Sequence, residues 1–414
     1  MPLSRLIELS TRLAPADPLR RKLIAIRLAE SIGKGVFLSG SVVYFTLRVG
    51  LDATQVGLGL SAAGLSAFIS SVVFGVIADR VGPRRLLIML FAALTVGFGL
   101  YAVVGTAIQF FALVVAVGFL EYGTGPANGA LVGNLVPAEE RVKLKAMMRS
   151  VFNIGFSIGI GVAAVAALSQ RLLVLIPLTT AALMACAALL VTRLPDVPSR
   201  PVPVGFKRFA AVRDPRFLAV IGISSVLASH VTVILVTMPL WALNHTSLPH
   251  FLIPLLLIFN TAFVILFQVR ASRGADTVEG AGRLARRSGY WLAGGCAVIA
   301  VTALGDNDML ASVAIVAAVL ILSTAEVMQA ASGWGLAFGL APEHAQGEYL
   351  GAFDLHVITQ NVVGPALLSG LVITFGFWGW LGIAAAALVA SALIIPAAHR
   401  SRVTLAPEPA TATG

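Results

Sequence analysis

Ionisable side chains inside long apolar segments are the residues of this sequence best placed to do chemistry. A charged group at the centre of a lipid bilayer costs at least ~2.5 kcal/mol, so each one needs a partner or a function. Arg27, Glu30 and Lys34 recur in the first apolar segment at three- and four-residue spacing, which places them on one helix face. Two interpretations remain open. The three residues form a ladder of ion pairs that eases insertion, or Glu30 and Lys34 line a cavity and exchange partners.

Two glutamates occupy the middle of later apolar segments. Glu121 has Tyr122 beside it and no basic residue in its own segment, and Glu326 lies close to Gln329. A carboxylate withdrawn from water takes up a proton more readily, so both are candidates for binding a proton or a cationic ligand. The alternative is a structural partnership. The partners available to either glutamate are Lys34, Arg149 and the other glutamate.

A histidine and an aspartate are the remaining polar candidates. His230 lies mid-segment among serine and threonine residues. Because imidazole titrates near neutral pH, His230 either binds a proton or substrate, or is a histidine whose hydrogen bonds are satisfied in the core. Asp354 lies nearer to the end of its segment. We predict that Asp354 and Arg149 contribute to a gate.

Other kinds of site find no support in the sequence. Residues 155–159 match the glycine-any-serine-any-glycine pattern of serine hydrolases, but that pattern requires a strand-to-helix elbow. Within an apolar helix, small residues spaced by four favour close helix packing instead. Cys186 and Cys296 have no ligand partners at useful spacing, and neither a paired-histidine zinc motif nor a phosphate-binding loop is present. We therefore expect no catalytic residues, no bound metal and no cofactor.

The elements that must position these residues are membrane-spanning helices. Hydrophobic residues make up 58% of the 414 residues, charged residues 12%, and the mean hydropathy is +0.93. The apolar runs are long and unbroken, unlike the alternating strands of a membrane barrel, so they must be helices. At roughly 20 residues per span the chain has room for about twelve. The predicted spans are 23–47, 53–78, 86–106, 109–135, 146–168, 172–193, 217–243, 250–270, 289–304, 309–335, 348–374 and 377–398.

The net charge of +10 is distributed as a topology signal rather than as a binding patch for nucleic acid. Basic residues are concentrated in alternate connections, whereas the intervening connections carry only Arg48 and Arg171. This positive-inside bias predicts a multi-pass protein of the cell membrane with both termini in the cytoplasm. The basic connections are residues 5–22, 80–85, 141–149, 193–216, 270–287 and 400–402.

The chain is predicted to contain two halves that are repeats of each other. Residues 135–139 resemble residues 340–343, and at the same offset Glu121 falls on Glu326 and Gly159 on Gly364. A shared register across two helices and a loop indicates duplication. The predicted organisation is a cytoplasmic N-terminal segment (1–22), a six-helix half (23–193), a cytoplasmic linker (194–216), a second six-helix half (217–398) and a disordered cytoplasmic tail (399–414).

The connection after the second span, residues 75–85, resembles the signature loop of the major facilitator superfamily. It has a glycine, then the pair Asp79-Arg80, then a second glycine and a basic pair, at the place where that family has them. Residues 342–353 resemble the second half of drug-exporter-like members. The sequence differs from drug–proton antiporters in the fifth span, which has no Gly-Pro pair, and in the fourth, which has no arginine.

Each residue type in this loop pattern has a physical rationale. Gly75 permits close helix approach, and Asp79 can cap a neighbouring helix. Gly82 eases the turn, and Arg84 with Arg85 anchors the loop at the inner leaflet.

The resemblance implies an all-α membrane protein with two parallel six-helix repeats and no enzymatic activity. We expect a monomeric secondary transporter that couples efflux of small amphipathic compounds to inward proton flow by alternating access. The alternatives are an uptake symporter and, in a different class, a polytopic membrane enzyme or a sensor. The expected partners are a small-molecule substrate, protons and the lipid bilayer, without nucleic acid.

Overall fold

The computed structural model describes residues 17–196, 208–246, 248–249, 251–304 and 308–405 of the chain. Most of the predicted N-terminal segment, the middle of the predicted linker and residues 406–414 lie outside these ranges. In chain order the helices are α1 (Pro18–Tyr44), α2 (Ala53–Val81), α3 (Pro83–Tyr101), α4 (Ala107–Leu135), α5 (Ala138–Ala166), α6 (Leu175–Thr192), α7 (Pro215–His245), α8 (Leu252–Ala271), α9 (Val278–Val301), α10 (Asp308–Leu340), α11 (Gln346–Val362), α12 (Gly364–Phe375) and α13 (Phe377–Leu405).

The described helices confirm the predicted all-helical membrane fold. Nine of them are long and apolar enough to cross a membrane, and α11 with α12 makes a tenth if the pair is one span bent by 44°. Helices α1 and α9 have 27 and 24 residues but carry several charges among their apolar side chains. Counting these two with the ten agrees with the predicted number of about twelve.

Helices α1, α5 and α9 begin earlier than the sequence predicted, at residues 18, 138 and 278. Their first turns are rich in charge, which made them look like connections. In α9, however, Leu284 and Ala285 are buried whereas Arg283, Arg286 and Arg287 are exposed. Helical periodicity therefore lets the basic side chains reach the polar boundary while the same turns pack on the protein.

The end of the second half also extends beyond its predicted boundary. We expected a disordered tail from residue 399, but α13 continues to Leu405. Its last turn is connected to the start of α9, because Arg402 donates to the carboxylate of Glu279. This contact corrects the predicted boundary.

The helices form two compact units. The N-terminal unit comprises Met1–Pro137 and Leu144–Pro201, and the C-terminal unit comprises Ala138–Lys143 and Val202–Gly414. The boundary at residue 201 falls within the predicted linker.

Glycine residues bring α5 close to α1 in the N-terminal unit. A Cβ atom at Gly159 would clash with the carbonyl oxygen of Ile32 and lie 2.6 Å from the Val36 nitrogen. One at Gly155 would lie 2.7 Å from Ser31 Cβ. The interpretation of residues 155–159 as a helix-packing pattern is therefore confirmed.

The first helix of each unit contains a π-helical turn. In the N-terminal unit, Phe45–Val49 follows directly on α1, and in the C-terminal unit Val233–Thr237 interrupts α7. Such turns change which side chains share a face and are frequent at functional sites.

Candidate functional site

The charged side chains of α1 form one continuous ion-pair network with Glu121 of α4. Glu30 accepts from Arg27 Nη1 at 2.8 Å and lies 3.0 Å from Lys34 Nζ. The same Lys34 Nζ is 3.4 Å from Glu121 Oε1. Lys34 therefore connects two carboxylates from two helices, and both interpretations of the α1 ladder remain compatible with this arrangement.

Neighbouring side chains hold the network in place. The Thr124 hydroxyl donates to the backbone oxygen of Glu121 at 2.7 Å and lies 3.4 Å from Glu30 Oε1. The Arg27 guanidinium lies over the ring of Phe152 in α5, 4.6 Å from its centre. Two cations and two carboxylates balance when all four are ionised, so the network can be buried without net charge.

The two carboxylates differ in their access to water. The side chain of Glu30 is 3% exposed and has two cationic partners, whereas that of Glu121 is 22% exposed. The carboxylate of Glu121 is therefore less enclosed by protein atoms than that of Glu30. Tyr122, next to Glu121, is exposed.

In the C-terminal unit, an amide donates to the carboxylate of Glu326. Asn260 of α8 donates to Glu326 Oε2 at 2.9 Å and lies 3.0 Å from the Ser323 hydroxyl. All three side chains are buried. Glu121 and Glu326, which the sequence predicts to be equivalent, therefore differ in these partners, a lysine for Glu121 and an asparagine for Glu326.

Two buried histidines share a second polar region of this unit. His230 Nδ1 lies 3.1 Å from the backbone oxygen of Leu227, and His356 Nδ1 lies 2.6 Å from that of Phe353. A carbonyl oxygen only accepts, so each Nδ1 carries a proton, and in the neutral ring Nε2 is an acceptor. The structure therefore places His230 in a backbone hydrogen bond, as one interpretation of the sequence predicted.

Hydrogen bonds between α7 and α11 fix the position of His356. Ser225 donates to the His356 backbone oxygen at 3.2 Å, and Gln360 donates to the Ser225 backbone oxygen at 2.8 Å. A Cβ atom at Gly333 would lie 3.8 Å from His356 Nε2 and 3.9 Å from Gln329 Nε2. The predicted site residue Gln329 therefore shares a small space with His356.

The signature loop between α2 and α3 forms a hydrogen bond and ion pairs with the end of α6 and the residues that follow it. Gly82 has φ of 94°, a conformation that side chains other than glycine rarely adopt. Arg84 Nη2 donates to the Thr192 backbone oxygen at 2.6 Å, and its Nη1 lies 3.7 Å from Asp196 Oδ1. Arg85 Nη2 lies 3.6 Å from the other oxygen of Asp196. A cation at the C-terminal end of a helix is favoured by the helix dipole.

This geometry agrees with the comparison of the sequence with known families. The sequence matches the model of the Major Facilitator Superfamily over residues 23–357. The chain belongs to this superfamily. It is therefore a multi-pass membrane transporter with a small-molecule substrate. A search of curated proteins found no significant match.

Solved structures of transporters share this fold. The transporter FucP in its outward conformation has a TM-score of 0.73 at 12% identity, covering 92% of this chain and 98% of that one. A bacterial homologue of the iron transporter ferroportin gives 0.71 at 14% identity, covering 94% and 100%. The human organic anion transporter MFSD10 (TETRAN) gives 0.63 at 14% identity, covering 92% and 98%. At such identities the likeness shows the fold alone.

The remaining predicted residues of this superfamily member lie in several places. Gly75 is buried, Asp79 is half-buried on the last turn of α2, and Arg80 is exposed. The two predicted gate residues, Arg149 in α5 and Asp354 in α11, are half-buried. Their role as a gate stays a prediction.

Sequence reasoning missed several members of the site. Thr124 and Asn260 are uncharged, so the search for ionisable residues passed over them, although both are polar residues inside apolar spans. His356 was also missed, since its hydrogen bond with α7 depends on helix packing that the sequence does not show. Within the described residues, no group of three or more histidine, cysteine or acidic side chains is arranged to hold a metal ion.

Proposed function

We propose that this chain is a secondary active transporter that expels small amphipathic compounds in exchange for protons by alternating access. The observation that supports this most is the position of Lys34 between Glu30 and Glu121, at 3.0 and 3.4 Å. A lysine that can satisfy either carboxylate lets one of them change its state while the other keeps a partner.

The proton binds at Glu121 in this proposal. Glu121 has the longer contact with Lys34 and the more exposed side chain. When Glu121 is protonated, Lys34 remains paired with Glu30, so neither Lys34 nor Arg27 loses its carboxylate partner. When Glu121 is ionised, it can pair with Lys34 or with a cationic group of the substrate. A carboxylate that binds proton and substrate competitively couples their flows in opposite directions.

The surroundings of the network suit an amphipathic substrate. The exposed ring of Tyr122 and the half-buried rings of Phe152 and Phe156 provide aromatic surface on α4 and α5. Aromatic rings bind apolar bodies and also attract cationic groups. The protein would act as a monomer in the cell membrane. Both termini would lie in the cytoplasm, the side that its basic connections favour.

Transport by purified protein in proteoliposomes tests the proposal. We would measure a panel of cationic and neutral amphipathic dyes under proton gradients of either sign. We expect Glu121→Gln to lose gradient-driven transport while it retains substrate exchange, because glutamine mimics the protonated carboxyl. The control is Glu139→Gln, an exposed position in the first turn of α5.

The alternatives give different results in the same assay. Accumulation of the compound together with protons would establish uptake symport in place of efflux. Normal gradient-driven transport by Glu121→Gln would remove Glu121 from the coupling mechanism. If that variant instead loses thermal stability and Lys34→Met restores it, the network is structural only.

A further inference from the structure

A cavity in the C-terminal unit is lined by residues outside the network of Glu30, Lys34 and Glu121. Its residues on α7 recur at the spacing of one helix face, and those on α12 occupy a facing turn. Its volume is about 390 Å³, within the range of about 300–1,000 Å³ that small-molecule sites occupy. The lining residues are Thr237, Leu240, Trp241, Asn244, His245, Ser369, Val372 and Ile373.

Hydrogen bonds and ring contacts fix the walls of this cavity. The buried Trp241 donates from Nε1 to the Thr302 hydroxyl at 2.9 Å and packs edge-to-face on Trp380, with ring centres 6.0 Å apart. The hydroxyls of Thr237 and Ser369 are 3.3 Å apart and connect α7 with α12. The site is therefore formed in advance, which reduces the entropy lost when a ligand binds.

His245 provides a flat surface at the opening. Its ring lies parallel to that of Trp241, with centres 3.6 Å apart and an angle of 6° between the planes. Its Nδ1 lies 3.3 Å from the Trp241 backbone oxygen, so Nδ1 carries a proton and Nε2 of the neutral ring is an acceptor. Because His245 is exposed, the ring face turned away from Trp241 is open for stacking.

The polar groups at the cavity define the chemistry of a ligand. Asn244 donates from Nδ2 to the Leu240 backbone oxygen at 2.7 Å, which leaves its amide oxygen as an acceptor. Among the described residues that line the cavity, none carries a carboxylate, an ammonium or a guanidinium group. A charged ligand would lose its hydration there without gaining a counter-ion.

We propose that this cavity binds a small, uncharged aromatic compound that carries a hydrogen-bond donor. The aromatic ring stacks on the open face of His245, and its edge contacts Val372 and Ile373. The donor binds the amide oxygen of Asn244 or Nε2 of His245. Thr237 and Trp241 are four residues apart on α7, so both lie on the helix face that lines the cavity.

This site does not depend on the proposed proton coupling. Binding requires no gradient and no member of the Glu30, Lys34 and Glu121 network. The test can therefore fail while the coupling mechanism stands, and the reverse also holds.

Equilibrium binding of 4-hydroxyacetanilide to the full chain in detergent micelles tests the proposal. Saturation-transfer NMR and tryptophan fluorescence would measure the affinity. Benzoate and benzyltrimethylammonium, which each carry a phenyl ring and have opposite charges, are the comparison ligands. We expect saturable binding of the neutral probe and at least tenfold weaker binding of both ions.

Matched variants locate the binding. We expect His245→Ala to weaken binding at least fivefold, whereas His399→Ala, an exposed histidine on α13, leaves it unchanged. Ile373→Trp should also weaken binding by adding bulk at the cavity, whereas Leu367→Trp should not. These two α12 residues are equally exposed, at 64% and 62%, but only Ile373 lines the cavity. Non-saturable uptake into the micelle, equal binding of the ions, or unchanged affinity in both cavity variants would overturn the proposal.

Discussion

The two units place polar side chains within apolar stretches of their first and fourth helices, but the groups that hold these side chains differ. In the N-terminal unit, α1 and α4 contribute cations and carboxylates that pair with each other, as in Arg27, Glu30 and Lys34. In the C-terminal unit, the partners include amide and backbone groups, as for Glu326 in α10 and His230 in α7. The network of the N-terminal unit depends on charge balance. The contacts of the C-terminal unit are hydrogen bonds, which neutral groups can also make.

This difference predicts how each unit responds to a change of charge. Removing one member of the ion-pair network leaves another charge buried without compensation. Removing a neutral partner costs at most an unsatisfied hydrogen bond. The N-terminal unit should therefore be the more sensitive to charge-removing substitutions, and the same sensitivity makes it suited to respond to a proton.

Replacing Glu30 should have the largest effect. Glu30→Gln keeps the shape of the side chain but removes the charge that compensates Arg27 and Lys34, at 2.8 and 3.0 Å. We expect a loss of about 3–5 kcal/mol in the free energy of unfolding, seen as a lower melting temperature in detergent. Lys34→Met added to this variant should recover part of the loss.

Asp17→Asn is the matched control for Glu30. Asp17 also pairs with an arginine of α1, Arg20, at 3.4 Å, but its side chain is 43% exposed. An exposed pair contributes about 0–1 kcal/mol, so the melting temperature should barely change. Equal losses in Glu30→Gln and Asp17→Asn would mean that burial does not distinguish the network.

The repeat-related glycines provide a second comparison. In the N-terminal unit, a Cβ atom at Gly159 meets backbone atoms of Ile32 and Val36. In the C-terminal unit, one at Gly364 meets the ends of the side chains of Thr232 and Gln360. Backbone cannot move aside, whereas a side chain can rotate. The shared position is therefore more rigid in the N-terminal unit.

Alanine at both glycines should reveal this difference. We expect Gly159→Ala to cost about 1–3 kcal/mol and Gly364→Ala clearly less. Gly161→Ala in α5, where nothing lies within 4 Å of the added atom, should stabilise by about 0.5–1 kcal/mol. Melting temperatures of the three variants under one detergent condition check the order. A reversed order for the two repeat positions would contradict the comparison.

The fold could be predicted because hydropathy and charge act along the sequence. Apolar length determined the spans, and the loop around Asp79 pointed to the family. The early starts of α5 and α9 could not be predicted from hydropathy, because charged residues on one exposed helix face resemble a connection until their burial is known.

The candidate site was predictable only in part. The spacing of Glu30 and Lys34 lies within one helix, so the sequence indicated their proximity. The contact of Lys34 with Glu121 joins residues far apart in the chain. The sequence left three partners open for Glu121, and Lys34 was one of them. Asn260 was not predicted at all, since its role depends on the packing of α8 against α10.

Removing the amide partner of Glu326 should have a moderate effect. Asn260→Leu deletes the hydrogen bond at 2.9 Å to Glu326 and the contact with Ser323. We expect a loss of about 1–2 kcal/mol, less than for Glu30→Gln, because no opposite charge is uncovered. Thr261→Val, whose hydroxyl bonds only within α8 to Leu257, is the control for thermal unfolding. A loss as large as that of Glu30→Gln would show that the C-terminal unit is equally dependent on charge.

The smallest effect concerns the contacts that connect helix ends within each unit, where the positions of cation and anion are reversed between the units. In the N-terminal unit, Arg84 at the start of α3 donates to the last turn of α6 at Thr192. In the C-terminal unit, the start of α9 contributes the anion, Glu279, and the end of α13 contributes the cation, Arg402. Only the first of these places a cation directly on a helix-terminal carbonyl.

The burial of these two contacts determines which one should contribute more to stability. The Arg84 side chain is 19% exposed, whereas those of Arg402 and Glu279 are more than half exposed. We expect Arg84→Gln to cost about 0.3–1 kcal/mol through the lost charge at the end of α6. Arg402→Gln should change stability by less, because water and salt screen an exposed pair. Melting temperatures at low salt and at about 1 M salt distinguish the two variants. Any effect of Arg402→Gln should vanish at high salt. The effect of Arg84→Gln should persist in part, because the hydrogen bond of Arg84 to Thr192 is short, at 2.6 Å, and partly shielded from water. If Arg402→Gln proves more destabilising than Arg84→Gln at both salt concentrations, the exposed Arg402–Glu279 pair contributes more stability than the Arg84 contacts. The contrast between the units at their helix ends is then lost.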